Sequence, residues 1–175
     1  VALLGFIASL WNRQYQFHDM ELSSLVTSAR HAVASDERRV FFEPTLWVNM
    51  EKLNLERGLG PLGEPYQQCW FIGDHAIIGG SAGTDALSRY TMHWMLEGAP
   101  ELSFRPGMKP GVDGADYTFA TRRLTDPGGV YKIALNLLAW RPGPGRDADL
   151  HETTRNRLRD VPDYRPLSLK RFFSN

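Results

Sequence analysis

The stretch that most constrains the fold runs from Cys69 to Ala99, where an apolar run gives way to a glycine-rich turn and the turn to a helical pattern. In Gln67–Ile72 the bulky apolar residues are consecutive, as in a strand buried on both faces, and Gly73 ends the run. Gly79, Gly80 and Gly83 free the backbone to turn, and Thr84 or Asp85 can cap a helix. Leu87, Tyr90, Thr91, Trp94 and Met95 then share one helical face, with Gly98 as a left-handed stop. Asp74, His75 and Ser81 sit between the two elements, where open α/β folds keep their chemistry. The expectation is an α/β fold with Gln67–Ile72 as an interior strand and Cys69 and Phe71 buried. A helix from about Asp85 to Glu97 should pack on the sheet through Leu87, Tyr90, Trp94 and Met95.

The rest of the chain is read around this unit. Val1–Ser9 reads as a core strand, parallel to Gln67–Ile72. Leu22, Leu25, Val26, Ala29 and Val33 share one face at helical spacing, which predicts an amphipathic helix over Ser23–Ser35. His31 lies within it, as a surface or satisfied core residue. Asp36–Arg39 is a charged exit, and Pro44 favours an extended Phe41–Trp47. Gly58-Leu-Gly60-Pro-Leu-Gly63 matches G-x-G-x-x-G, but a dinucleotide site needs a buried strand before it and a helix after it, and Pro61 and Pro65 oppose the latter. It reads as a loop, and no cofactor is expected. Pro100–Asp116 reads as an irregular loop, a lid or pocket rim, Tyr117–Leu124 as a strand, and Val130–Leu138 as helical. A short helix over Thr153–Leu158 interrupts an irregular tail from about residue 150.

Twenty basic residues offset twenty acidic ones among 175, so no net field favours nucleic acid. With 42% hydrophobic content the chain can bury a core as one domain. Cys69 has no second cysteine to pair with, and no N-x-S/T acceptor occurs, which makes an intracellular, cytoplasmic setting the default. Val1–Leu10 is apolar but lacks a basic leader and is shorter than the roughly 20 residues of a membrane helix. Starting at Val inside an apolar run, the sequence reads as a piece of a longer protein or of a shortened gene model.

Trp70-Phe71-x-Gly73-x-His75-x-x-x-Gly79-Gly80, followed by a helix carrying Trp94-Met95, resembles the histidine-bearing motif of an α/β-hydrolase family. That family includes type VI secretion phospholipase effectors and many uncharacterised fungal proteins. Ala34-Ser-Asp-Glu-Arg38 and Phe42-Glu-Pro-Thr-Leu-Trp47 resemble its L-D-E-x-R and F-x-P-T-L-W, and Arg141-Pro-Gly143 and His151 with Arg155 and Arg157 are weaker echoes. The resemblance implies the C-terminal part of a mostly parallel hydrolase sheet with packing helices, 1–175 being a single partial domain. It implies hydrolysis of an ester, by the family's nature a lipid, with His75 as general base. The family's acid falls at Gly5, and the Asp or Asn frequent two residues after the histidine falls at Ile77. The family's nucleophile lies upstream of this chain.

The chemistry of a serine hydrolase needs a nucleophile, a histidine that accepts its proton and an acid that fixes the histidine tautomer. Three readings stand. In the first, His75 is the base of a hydrolase site that lacks nucleophile and acid in this chain, and the remainder of the hydrolase domain is its partner. In the second, the fold is a degenerate interaction module, favoured by Gly5 and Ile77. In the third, Gly79-Gly-Ser81-Ala-Gly83 is a nucleophile elbow, with Ile77-Ile78 as its strand, an aspartate among Asp113, Asp116 and Asp126, and His151 as base. No metal site is expected, because His151-Glu-Thr-Thr-Arg155 has arginine where H-E-x-x-H needs its second histidine. A half sheet would leave an edge or an apolar face to aggregate or to bind a partner.

Overall fold

Two short strands carry the fold. In the computed structural model, which describes residues 20–61, 63–81, 85–99, 112–120 and 138–173, β1 (Ala29–Ala34) and β2 (Tyr66–Phe71) pair in parallel from Ala29↔Tyr66 to Ala34↔Phe71. Parallel strands need a crossover, and the chain between them carries helix α1 (Met50–Arg57). Asn54 on α1 closes a two-way bridge to the start of β2: its amide donates to the Tyr66 carbonyl (2.9 Å) and its oxygen accepts from the Tyr66 N–H (3.0 Å). On its other side β2 meets Leu150 through a parallel bridge at Trp70, so it is interior to what the structure describes.

The strand at Ala29–Ala34 corrects the helix expected over Ser23–Ser35. The helical spacing of Leu22, Leu25 and Val26 with Ala29 and Val33 is coincidental, since Leu25 is 90% exposed and no apolar face is buried there. Pairing with β2 satisfies the backbone of both segments at once, and that non-local gain outweighs a local pattern. The expected strand at Val1–Ser9 lies outside the described residues. The expected extended run from Phe41 begins instead with a 3-10 turn at Val40–Phe42.

Both faces of β2 are covered, which explains its consecutive apolar sequence. Cys69 and Phe71 pack with Trp94, while Trp70 joins Val33, Ile72, Ile77, Leu87, Leu150, Leu158, Tyr164 and Leu169 in the larger core. Helix α3 (Asp85–Glu97) has the expected bounds. It buries Leu87, Ser88, Thr91 and Trp94, whereas Met95, expected against the sheet, is exposed. Trp94 meets Phe71 edge-on at 5.4 Å between centroids, a geometry adding about 1 kcal/mol beyond its buried area. Gly98 is not left-handed. Its small size admits the Arg30 side chain, which a Cβ would overlap, and Arg30 donates to the Trp94 carbonyl at the end of α3.

The segment from about residue 150, expected to be an irregular tail, is built into the core. It contains helix α4 (Glu152–Asp160), longer than the expected Thr153–Leu158, and a 3-10 helix at Leu167–Phe172. The Trp70 carbonyl accepts from both the His151 N–H (3.1 Å) and the Thr154 hydroxyl (3.0 Å). Gly143 lies so close to the Ser168 carbonyl that a Cβ would overlap it. Gly58–Gly63 follows a helix and precedes a strand, the reverse of a dinucleotide fingerprint. Of the strand expected over Tyr117–Leu124, the described residues Tyr117 and Thr118 form a turn. The helix expected over Val130–Leu138 lies outside the described residues except for Leu138, which bridges to Arg39. No described helix is long and apolar enough to cross a membrane.

Candidate functional site

Because β1 and β2 end at one level, the segments that follow them emerge side by side. The pairing runs on past the strands, with Ser35 N–H donating to the Phe71 carbonyl (2.9 Å) and Asp36 N–H to the Gly73 carbonyl (3.1 Å). Gly73 then turns the chain with φ +118°, and a Cβ there would stand 2.5 Å from Ile77 Cγ2. Only glycine suits both requirements. Asp74 caps the four-residue helix α2 (His75–Ile78) by accepting from the Ile77 N–H at 2.9 Å. His75 is therefore the first residue of a rigidly tethered turn of helix.

The imidazole of His75 meets a carboxylate. Its Nδ1 lies 2.6 Å from Glu37 Oε2, and the Glu37 side chain is 2% exposed. Arg39 holds that carboxylate from the other side, Nε donating to Oε1 (2.9 Å) and Nη2 to Oε2 (2.7 Å), while its backbone N–H also donates to Oε1 (2.8 Å). Arg39 Nη2 reaches on to Asp74 Oδ2 (3.3 Å) and lies 3.1 Å from His75 Nδ1. Phe42 stacks on the imidazole at 4.3 Å between centroids, and the Arg39 guanidinium lies over the same phenyl ring. The ring is thus fixed in both plane and rotation.

The protonation state follows from the same contacts. Burial pushes the Glu37 carboxyl up, but hydrogen bonds from Arg39 and His75 outweigh it and hold its pKa down at about 2. An ionised carboxylate only accepts, so at 2.6 Å the proton between it and His75 belongs to Nδ1. A neutral ring in that tautomer presents its lone pair on Nε2, the form a general base needs.

A second acid stands behind the first. Asp36 is buried, and its Oδ2 accepts from the Gly73 N–H (2.6 Å) and from the Tyr164 hydroxyl (3.0 Å). Burial dominates its titration and pushes it up to about 6, against the opposing pull of those donors and of Arg157. Adjacent acids therefore do different work: Asp36 ties down the backbone of the turn, and Glu37 orients the ring.

The other sequence candidates are placed elsewhere. Ser81 follows helix α2, because Ile77 and Ile78 are helical and not a strand, and its Oγ bonds weakly to the Ala76 carbonyl (3.4 Å). No strand leads into Ser81, as a nucleophile elbow requires. Among the described residues the polar partners of the His75 ring are Glu37 and Arg39, and no hydroxyl reaches it. His151 caps α4, its Nδ1 2.7 Å from Thr153 Oγ1 and its ring stacked on Phe71, and burial lowers its pKa to about 4. His31 lies on β1, paired with Gln68 Oε1 at 3.0 Å. Arg141 donates to the Arg39 carbonyl, bringing one of the weaker echoes beside the site. A cavity of about 730 Å³ is walled by β2, α3 and the 146–155 segment and includes neither His75 nor Glu37.

Glu37 is the site residue the sequence alone did not place. The available signal was the Asp36-Glu37 pair before Arg38-Arg39, which reads as a solvated charged exit, although both acids are buried. Its contact with His75 spans 38 residues, so no local pattern reveals it.

Comparison with known families gives one match: a family model described as T6SS, Phospholipase effector Tle1-like, catalytic domain, covers residues 1–98. It takes in β1, β2, α3, Glu37 and His75. No curated protein and no solved structure matches the chain.

Proposed function

Since the chain belongs to the Tle1-like phospholipase effector catalytic domain family, we propose that it supplies the base and the orienting acid of a serine-type hydrolase site acting on phospholipid esters. The observation that carries this reading is the 2.6 Å contact between buried Glu37 and His75 Nδ1. Nε2 takes the proton of an attacking serine hydroxyl as its oxygen adds to the acyl carbonyl. The resulting imidazolium, stabilised by the Glu37 carboxylate, then returns that proton to the leaving alcohol. A water molecule repeats the cycle to release the fatty acid. The serine itself is placed upstream, in an elbow of the kind the family resemblance implies, and the two strands belong to a larger hydrolase sheet.

A second reading, a hydrolase fold retained as an interaction module, is favoured by Ile77. That side chain is fully buried against Gly73, at a place where the resembled motif often carries a polar group. The buried acid beside His75 weighs against it, since a module without chemistry has no need to hold Glu37 ionised.

Fatty-acid release from phospholipid vesicles tests the proposal. The chain as it stands should release none, and the same chain preceded by its upstream G-x-S-x-G segment should release fatty acid at a rate that His75→Ala lowers by three orders of magnitude or so. Hydrolysis by the extended protein that survives His75→Ala would refute the assignment of the base. An extended protein that carries the elbow and is inactive would favour the interaction module.

A further inference from the structure

The C-terminal segment lies outside the residues that the family model covers, yet it reaches the floor of the site. Asp36 Oδ2 accepts two hydrogen bonds, one from the Gly73 N–H (2.6 Å) and one from the hydroxyl of Tyr164, 128 residues along the chain from Asp36. Gly73 is two residues before His75 and carries the turn that aims it. We propose that Tyr164 is a positioning residue for the His75–Glu37 pair, acting through Asp36 and the Gly73 peptide. The inference rests on the reading of His75 as base.

The geometry argues that this is more than a buried hydrogen bond. Tyr164 is buried, and its ring lies 4.8 Å beneath the Arg157 guanidinium. Arg157 is itself held by the carbonyls of Tyr117 and Phe119. The groups facing the Asp36 carboxylate are therefore Tyr164, Arg157 of α4 and, with opposite sign, Asp74 at the cap of α2. With the hydroxyl in place, the carboxylate is held between Tyr164 and Gly73. Without it, the Gly73 N–H is the one hydrogen-bond donor left to the carboxylate among the described residues, and the charge of Arg157 draws on a carboxylate that no hydroxyl holds in place. The Gly73 hydrogen bond is then restrained from one side less, and the turn it anchors loosens with it. The register of Glu37 on His75 follows, because Glu37 is the next residue after Asp36. Ser168 offers the contrast: it comes from the same segment and bonds the carbonyl of Ser35 at 2.6 Å, one residue from Asp36, without touching the carboxylate.

The test uses the full 175-residue chain, isotope-labelled, with two nuclear magnetic resonance readouts that need no activity. One is hydrogen exchange of the Gly73 amide relative to the β2 amides. The other is the downfield Nδ1 proton of His75. Tyr164→Phe removes one oxygen and keeps the ring beneath Arg157. It should speed Gly73 exchange about tenfold, the size expected from losing a hydrogen bond to a charged group, and broaden or abolish the Nδ1 signal. Ser168→Ala should leave both unchanged after correction for overall stability. Unchanged Gly73 protection in Tyr164→Phe, or the same two changes in Ser168→Ala, overturns the inference. A wild-type chain without the Nδ1 signal refutes the reading of His75 and Glu37 themselves. An intact signal untouched by Tyr164→Phe refutes this inference alone.

Discussion

Replacing Glu37 by Gln removes one charge at nearly constant shape, and the consequences follow from the contacts at that carboxylate. The carboxyl titrates at about 2, against 4.5 for an unperturbed glutamate. At about 1.4 kcal/mol per pH unit, its ionised form is favoured by folding by roughly 3 kcal/mol near neutrality. The His75 side chain is 43% exposed, so water screens part of this, and about 2 kcal/mol is the expected cost of the substitution. The folded carboxyl titrates below the unfolded one. The stabilisation is therefore complete above about 4.5 and is lost as the pH falls toward about 2. Urea denaturation near pH 7 should show Glu37→Gln less stable by about 2 kcal/mol, and near pH 3 the gap should shrink to less than half. The amide of the new glutamine also brings a donor to a place that already faces donors. If its oxygen stays with Arg39, its NH₂ points at His75 Nδ1, and the ring must move its proton to Nε2. Nitrogen chemical shifts of the ring report that exchange of tautomers. A stability change below about 0.5 kcal/mol near neutrality, a gap independent of pH, or an unchanged tautomer would each refute the reasoning.

Other substitutions test neighbouring parts of the site. Asp36 is raised to about 6 by burial from an ordinary 3.8, so its contribution to stability is full below the ordinary value and is lost as the pH rises through about 6. Asp36→Asn should abolish that component, on the order of 2 kcal/mol, in denaturation curves taken between about pH 4 and pH 8. Gly73→Ala places a Cβ at φ +118° and 2.5 Å from Ile77 Cγ2. It should cost about 2 kcal/mol or more by thermal or urea denaturation, and a wild-type midpoint would contradict the turn geometry. A fluorophosphonate probe should leave Ser81 unlabelled, because a helix and not a strand precedes it and, among the described residues, no base bonds its hydroxyl. Labelling that mass spectrometry maps to Ser81 and that Ser81→Ala removes would reinstate a self-contained hydrolase.

What the sequence conveys and what it hides divides along the distance between interacting residues. Helix α3 is legible to its bounds because Leu87, Thr91 and Trp94 repeat at the helical period and their burial is decided within one element. Strand β2 is legible because burial on both faces leaves a consecutive apolar run. Strand β1 is not, since only Val33 among its six residues is fully buried and its neighbours mimic a helical face. Its identity comes from pairing with residues 37 positions away. The site divides in the same way. His75 announces itself by its place after a buried strand, whereas Glu37 becomes meaningful only once the parallel register sets the ends of two strands together. The C-terminal segment looked irregular because its order derives from hydrogen bonds to Trp70, Ser35 and Asp36, none of them local.

The common end-point of the two strands decides where this chain can change length. Side chains alternate after β1, so that Asp36 meets Gly73 and Glu37 meets His75. One residue inserted between Ala34 and Glu37 would reverse that alternation and present His75 with the wrong neighbour, and one deleted would do the same. Gly58 and Gly63 stand in open space, with nothing within 4 Å of where a Cβ would project. An affinity tag, a fluorophore-bearing peptide or a natural insertion belongs in that loop, where extra residues change neither strand.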